Sequence, residues 1–237
     1  MHTTHRPWPL PDGKYSWYQE WRRLIFLHFK LAYGEIEQLL PEGIKPDMFN
    51  DSAWVSIVPF SMQNIRPRLL PAFAPVSHFD EINVRTYVTD GKHPGVFFLN
   101  IEAGNKIAVQ LAKTLSGLPY EKSEMNRSFG PVCGYRSKNT MKKFKLDMEY
   151  SIGKDVAVPS PLDIWLTERY RLYLAVNKRT YSYDIHHLPW PLREITFKSL
   201  KLDYSLNGLN LNQAGLVKAN YSDGVKVVAW GRDPFIK

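Results

Sequence analysis

The chain has 237 residues, 44% of them hydrophobic and 14% aromatic, enough to bury a substantial core, and it is expected to form a single domain over residues 1–237. No apolar run approaches the roughly 20 residues that cross a bilayer as a helix, and the start, MHTTHRPWPLPDG, lacks the apolar stretch of a signal peptide, so a cytoplasmic protein with no membrane partner is expected. The net charge of +8, from 31 basic against 23 acidic residues, is spread thinly with no recognised reading motif beside it, which argues against a nucleic-acid partner.

Taken in chain order, strand signals outnumber helix signals. A short helix, GEIEQLLP, stops at Pro41. AWVSIVPF (Ala53 to Phe60), EINVRTYVT (Glu81 to Thr89) and GVFFLNIE (Gly95 to Glu102) are rich in β-branched and aromatic residues and read as strands. The Pro-rich patch from Arg66 to Pro75 reads as a long ordered loop, and TDGKHPG, between the second and third strands, as a hairpin turn. GNKIAVQLAKTLSGL sets Ile107, Ala108, Leu111, Ala112 and Leu115 on one helical face, with Gly117 as its C-cap.

Cys133, the single cysteine, excludes an internal disulfide and a thiolate metal site and is expected to pack as a small residue on a strand. The densest basic run, Lys138 to Lys145 in SKNTMKKFKLD, alternates lysines with Phe144 and Leu146 and reads as a strand with one solvated face; a strand is expected over Met141 to Tyr150. A second helix opens at Ser160-Pro161, a cap followed by a favoured first-turn proline, and carries LDIWLTERY. RLYLAVN, TYSYDIHH, REITFKSLKLD and GVKVVAW complete the strands. A sheet this large has edges to manage, and closure into a barrel is one solution; a barrel interior offers a pocket.

In EINVRTYVT, period-two alternation sends Ile82, Val84, Thr86 and Val88 to one face and Glu81, Asn83, Arg85 and Tyr87 to the other. If the second face meets water, its polarity is ordinary. If it lines a barrel, Glu81 and Arg85 become an acid and a cation in a shielded cavity, where burial perturbs pKa values.

The runs WRRLIFLHFK, LPEGIKPDMFNDSAWVSIVPFSMQNIRP, FDEINVRTYV with GKHPGVFFLNIEA, GLPYEKSEM, LTERYRLY and HHLPWPLRE, in order from about Trp21 to Glu194, resemble the YqjF-like family of largely uncharacterised bacterial proteins. That family is similar in fold to acetoacetate decarboxylase. The resemblance implies a mainly β (α+β) protein, a large antiparallel cone-like β-barrel with a few peripheral helices around an internal cavity. Acetoacetate decarboxylases carry a Pro-Lys-Lys step whose first lysine forms a Schiff base with the substrate ketone; here Pro119 is followed by Tyr120 and Glu121, so that nucleophile is missing. Lys122 lies two residues beyond Tyr120 and, on an extended segment, could reach the same space, although a lysine is far more often an ordinary exposed residue.

Phe79-Asp80-Glu81 resembles the aromatic-x-Glu step of the decarboxylases, which implies that Glu81 is a cavity residue. Arg85 is then either an anchor for a carboxylate, which its planar fork grips with two bonds, or half of a structural ion pair with Glu81 or Glu102. Tyr87, Glu102 and Tyr120 complete the candidate ligand-binding set, and Glu81 and Lys122 the candidate catalytic one. Tyr120, Trp190 and Tyr170 line a pocket or fill the core.

Adjacent strand residues point to opposite faces, so His186 and His187 do not make a metal pair, and His28 in LIFLHFK reads as a packed core histidine. No metal, cofactor, phosphate loop or nucleophile elbow is expected. Two functions follow: a barrel binding a small organic acid or ketone without covalent chemistry, or an enzyme acting on a keto acid through Glu81 and a displaced Lys122. A homo-oligomer stays open.

Overall fold

Six consecutive residues of the run Trp17–Leu31, Leu24 to Phe29, are buried, so this segment is covered on both faces, and a computed structural model describing residues 1–105, 120–176 and 179–234 places it as strand β1. The chain continues through α1 (Tyr33–Glu37), β2 (Lys45–Pro46), β3 (Ala53–Pro67), α2 (Ala74–Ser77), β4 (Phe79–Thr89), β5 (Pro94–Ala103) and β6 (Tyr120–Lys122). It goes on with β7 (Glu124–Ser128), β8 (Cys133–Asn139), β9 (Phe144–Asp155), α3 (Pro161–Thr167), β10 (Arg171–Val176) and β11 (Arg179–His186). The last elements are β12 (Leu192–Leu206), β13 (Leu209–Asn212), β14 (Leu216–Ala229) and β15 (Asp233–Pro234). The expected helix over GNKIAVQLAKTLSGL lies, from residue 106 onward, outside the described residues.

The pairings close on themselves. From β14 the ladder runs through β1, β3, β4, β5, β10 and β11, and β11 returns to β14 through Ile185 against Ala229 and His186 against Val228. Neighbours around this ring are antiparallel except at one seam, where β5 and β10 run parallel with Val96 opposite Leu172; β6 also joins β5 in parallel. The expected all-antiparallel pattern is thus broken where distant parts of the chain meet, since parallel neighbours need a long connection.

Two seams require glycine. A Cβ on Gly95 would stand 2.5 Å from the Arg171 carbonyl oxygen of β10. One on Gly224, whose φ is +117°, would stand 1.9 Å from the Trp21 oxygen of β1.

A second wing, β12, β9, β8 and β7 with β13 alongside, continues from β14. The largest apolar core packs one face of β1, β3 and β4 (Ile25, Leu27, Val55, Ile57, Ile82, Val84) against this wing (Tyr135, Leu146, Met148, Tyr204). The opposite face of the same strands carries Leu24, Phe26, Val58, Phe60 and Met62, which pack with Trp190 and Val227 inside the ring. These strands therefore serve two interiors by alternation.

Local expectations meet mixed outcomes. TDGKHPG is the hairpin between β4 and β5, with Asp90 Oδ1 accepting from the backbone of Lys92 and His93. Ser160 caps α3: its Oγ accepts from Asp163 N at 3.2 Å while Asp163 Oδ2 accepts from Ser160 N at 2.9 Å. Helix α1 ends at Glu37, short of Pro41. The basic run is not one strand: β8 ends at Asn139 and β9 begins at Phe144, with Lys143 at φ +61° and Asn139 Oδ1 accepting from Lys142 N to form the turn. Cys133 is a buried free thiol on β8. Among the described residues no helix is long and apolar enough to cross a membrane.

Candidate functional site

The polar face of β4 turns inward. Ile82 and Val84 enter the core shared with the wing, whereas Glu81, Asn83 and Arg85 line a cavity of about 400 Å³ inside the ring. The cavity is mainly aromatic and aliphatic, with Trp21, Phe60, Phe98, Leu172 and Trp190 on its wall. Leu70 and Phe73, 58% and 66% exposed, lie on the same wall and mark where it opens to solvent.

Glu81 is buried, and no cation among the described residues is within ion-pair distance of it. Its carboxyl accepts a hydrogen bond from the Tyr120 hydroxyl at 3.0 Å. Burial pushes its pKa up from 4.5 to about 8, the bond from Tyr120 pulling weakly the other way. Glu81 is therefore predominantly a neutral acid at pH 7. Burial and Glu81 in turn hold the Tyr120 phenol well above its usual value. Tyr120 reaches the site because β6 lies parallel to β5, with Ile101 opposite Tyr120.

Arg85 sits at the other end of the polar strip, four residues on, where Cα positions on a strand are about 13 Å apart. The helix α3 positions its surroundings. That helix leaves carbonyls unpaired in its last turn, and three cavity side chains take them: Arg169 Nε donates to Trp165 O at 2.6 Å, Arg85 Nη2 to Leu166 O at 3.2 Å, and Trp190 Nε1 to Thr167 O at 2.9 Å. Arg85 is 6% exposed, and its Nε has no hydrogen-bond partner among the described residues. Neither ion pair considered from the sequence forms, because Glu81 takes Tyr120 and Glu102 faces away.

Arg169 is also buried and lines the cavity; Nη1 pairs with Asp47, and Nη2 has no partner among the described residues. Nothing in its local pattern signals this role, since the end of α3 puts it there. Behind the two guanidiniums lies Tyr87, whose ring centre is 5.8 Å from Arg85 Cζ and 5.1 Å from Arg169 Cζ. Tyr87 is not on the cavity wall. Its hydroxyl is 2.6 Å from Ser56 Oγ, which is 2.6 Å from His28 Nδ1.

Burial first, and the Arg85 charge second, lower the His28 pKa to about 3, so the imidazole is neutral as a packed core histidine should be. His187 stands on the cavity wall beside Trp190, and burial lowers its pKa to about 4. His186 is 5.5 Å from His5, ring to ring. Trp190 lines the cavity and Tyr170 packs outside it. Among the described residues no group of three or more His, Cys, Asp or Glu side chains could hold a metal ion.

Two candidates lie elsewhere. Lys122 is exposed and off the cavity wall: β6 ends there, and the ammonium solvates outward. Glu102 lies on the opposite face of β5. A register shift between the Val84 and Arg85 pairings inserts an extra residue into β5 and sets Glu102 opposite Ile82, on the wing side. There burial raises its pKa, while Tyr204, Ser123 and Asn139, which face it, oppose that rise.

The ring and its cavity define the fold of the acetoacetate decarboxylase-like proteins. Acetoacetate decarboxylase from Legionella pneumophila matches with a TM-score of 0.64 at 9% identity, over 98% of this chain and 94% of that one. The enduracididine biosynthesis enzyme MppR complexed with pyruvate matches with a TM-score of 0.61 at 9% identity, over 98% and 94%. The chain itself belongs to the DUF2071 family, described as an uncharacterized conserved protein, whose model matches residues 18–226. The uncharacterized protein YqjF of Bacillus subtilis (strain 168) is 35% identical over 190 residues, 78% of each chain.

Proposed function

We propose that this protein binds a small organic acid or carbonyl compound in the cavity, with Arg85 receiving the carboxylate and Glu81 and Tyr120 offering a neutral hydrogen-bonding pair. The observation that carries the reading is the state of Arg85, a buried guanidinium with one carbonyl partner and no carboxylate among the described residues. An uncompensated buried cation costs several kcal/mol, and a bound anion removes that cost. The pyruvate complex of MppR is a property of that protein, and lends support only through the shared fold. Titration calorimetry tests the proposal: a carboxylic acid is expected to bind more tightly than its amide of the same shape, with the preference lost in Arg85→Met, and equal binding of both by both proteins would refute it.

A second reading, an enzyme that acts on a keto acid, is favoured by the Glu81 pKa of about 8, which suits a proton carrier near neutrality. Lys122 would have to leave its exposed position to join it. Borohydride reduction with acetoacetate separates the two: under the first reading no adduct forms, and an adduct on Lys122 establishes the second.

A further inference from the structure

The cavity has two unlike ends, and their spacing bears on what fits. This step rests on the proposed binding of a carboxylate at Arg85 and goes on to its chemical class. At the deep end, among the described residues, Arg85 has no anionic partner, and Arg169 has Asp47 as its one anion and a spare Nη2. His28 and His187 are neutral there, so one positive charge is left over. Both guanidiniums flank the Tyr87 ring, and both have donors to offer. One carboxylate balances that charge and can accept from both arginines; a dianion would overshoot it.

The remaining wall is mainly apolar, with Gln19, Arg66, Ser77 and Asn83 among its polar members. Trp21 and Trp190 lie stacked with ring centres 6.1 Å apart, Phe60 packs on Trp21, and Leu70 and Phe73 stand at the mouth. At ~30 Å³ per water-sized group, 400 Å³ accommodates roughly a dozen non-hydrogen atoms, and a three-carbon keto acid would leave about half of it unfilled. Nor could so short a molecule readily touch both Arg85 and Glu81, whose Cα atoms are about 13 Å apart along β4.

We infer that the ligand is an amphiphilic monocarboxylate, its headgroup held between Arg85 and Arg169 and its apolar body lying along Trp21, Trp190 and Phe60 toward the mouth. Glu81, neutral and four residues from Arg85 along the same strand, is placed to meet a carbonyl or hydroxyl on that body.

Quenching of the cavity tryptophans provides the test. The full chain is titrated with acetate, butanoate, hexanoate, octanoate and octan-1-ol, in the wild type, Arg85→Met and Arg85→Lys. Affinity is expected to climb up to about fourfold per added methylene through octanoate. Arg85→Met should weaken octanoate at least tenfold or so, with octanol unchanged and Arg85→Lys intermediate. Affinities independent of chain length, yet lost in Arg85→Met, would overturn the amphiphile and leave carboxylate binding intact. Octanoate and octanol binding alike in all three proteins, or no acid binding at all, would overturn both; circular dichroism of each variant shows whether it is folded.

Discussion

Tyr120 donates its hydroxyl to Glu81 at 3.0 Å from β6 across to β4, with β5 between the two strands. The donor stabilises the carboxylate, yet burial outweighs it and keeps the acid protonated at neutral pH.

Replacing Glu81 with Gln should therefore change how stability depends on pH. The folded pKa, about 8, lies above the ordinary 4.5. The stabilisation it confers is whole below pH 4.5 and is lost as pH rises through 8. His28 and His187 act with the opposite sign, their lowered values costing stability as pH falls below 6.5. Between pH 6.5 and 8, wild-type stability should fall with rising pH and Glu81→Gln should reduce that slope; denaturant titrations with an unchanged slope would contradict the assignment.

Tyr120→Phe removes the bond that favours the ionised form. The Glu81 pKa should move further up, by about one unit for a single hydrogen bond worth roughly 1 kcal/mol. Carbon-13 NMR of labelled glutamate reads the shift directly, and a downward movement would show that Tyr120 is not the partner.

Arg85→Met should raise the melting temperature of the ligand-free protein. A cation that is buried without an anion destabilises the fold, and an apolar side chain of similar length relieves it by about 1–3 kcal/mol. Calorimetry showing clear destabilisation would mean that Arg85 has a structural anionic partner.

The ring closure makes a separate claim. Gly224→Ala puts a Cβ into the Trp21 carbonyl at a positive φ, and Gly95→Ala puts one into Arg171. Each is expected to cost at least ~2 kcal/mol, since backbone on the facing strand must move. A loss under about 0.5 kcal/mol at either position would count against the seam geometry.

Much of the site's placement was legible because β4 is a regular strand with period-two chemistry; once the ring closes, Glu81, Asn83 and Arg85 must share an interior. The cap of α3 was legible for a similar reason, Ser160 and Pro161 being local signals. Strand β1 was not, because burial on both faces erases alternation over Leu24 to Phe29. Glu102 was misplaced by one inserted residue in β5, which reverses every side chain beyond it. Arg169 was invisible for a third reason: it owes its position to the end of α3 and to Asp47, 122 residues away in sequence.

The most direct test is a crystal structure with 4-bromobenzoate, whose bromine marks the apolar end by anomalous scattering. Carboxylate density at about 3 Å from the Arg85 guanidinium, with the bromine peak toward Trp21 and Trp190, is the predicted result. An empty cavity at a saturating concentration, or a ligand whose carboxylate points to the mouth and leaves Arg85 unpaired, would contradict the account.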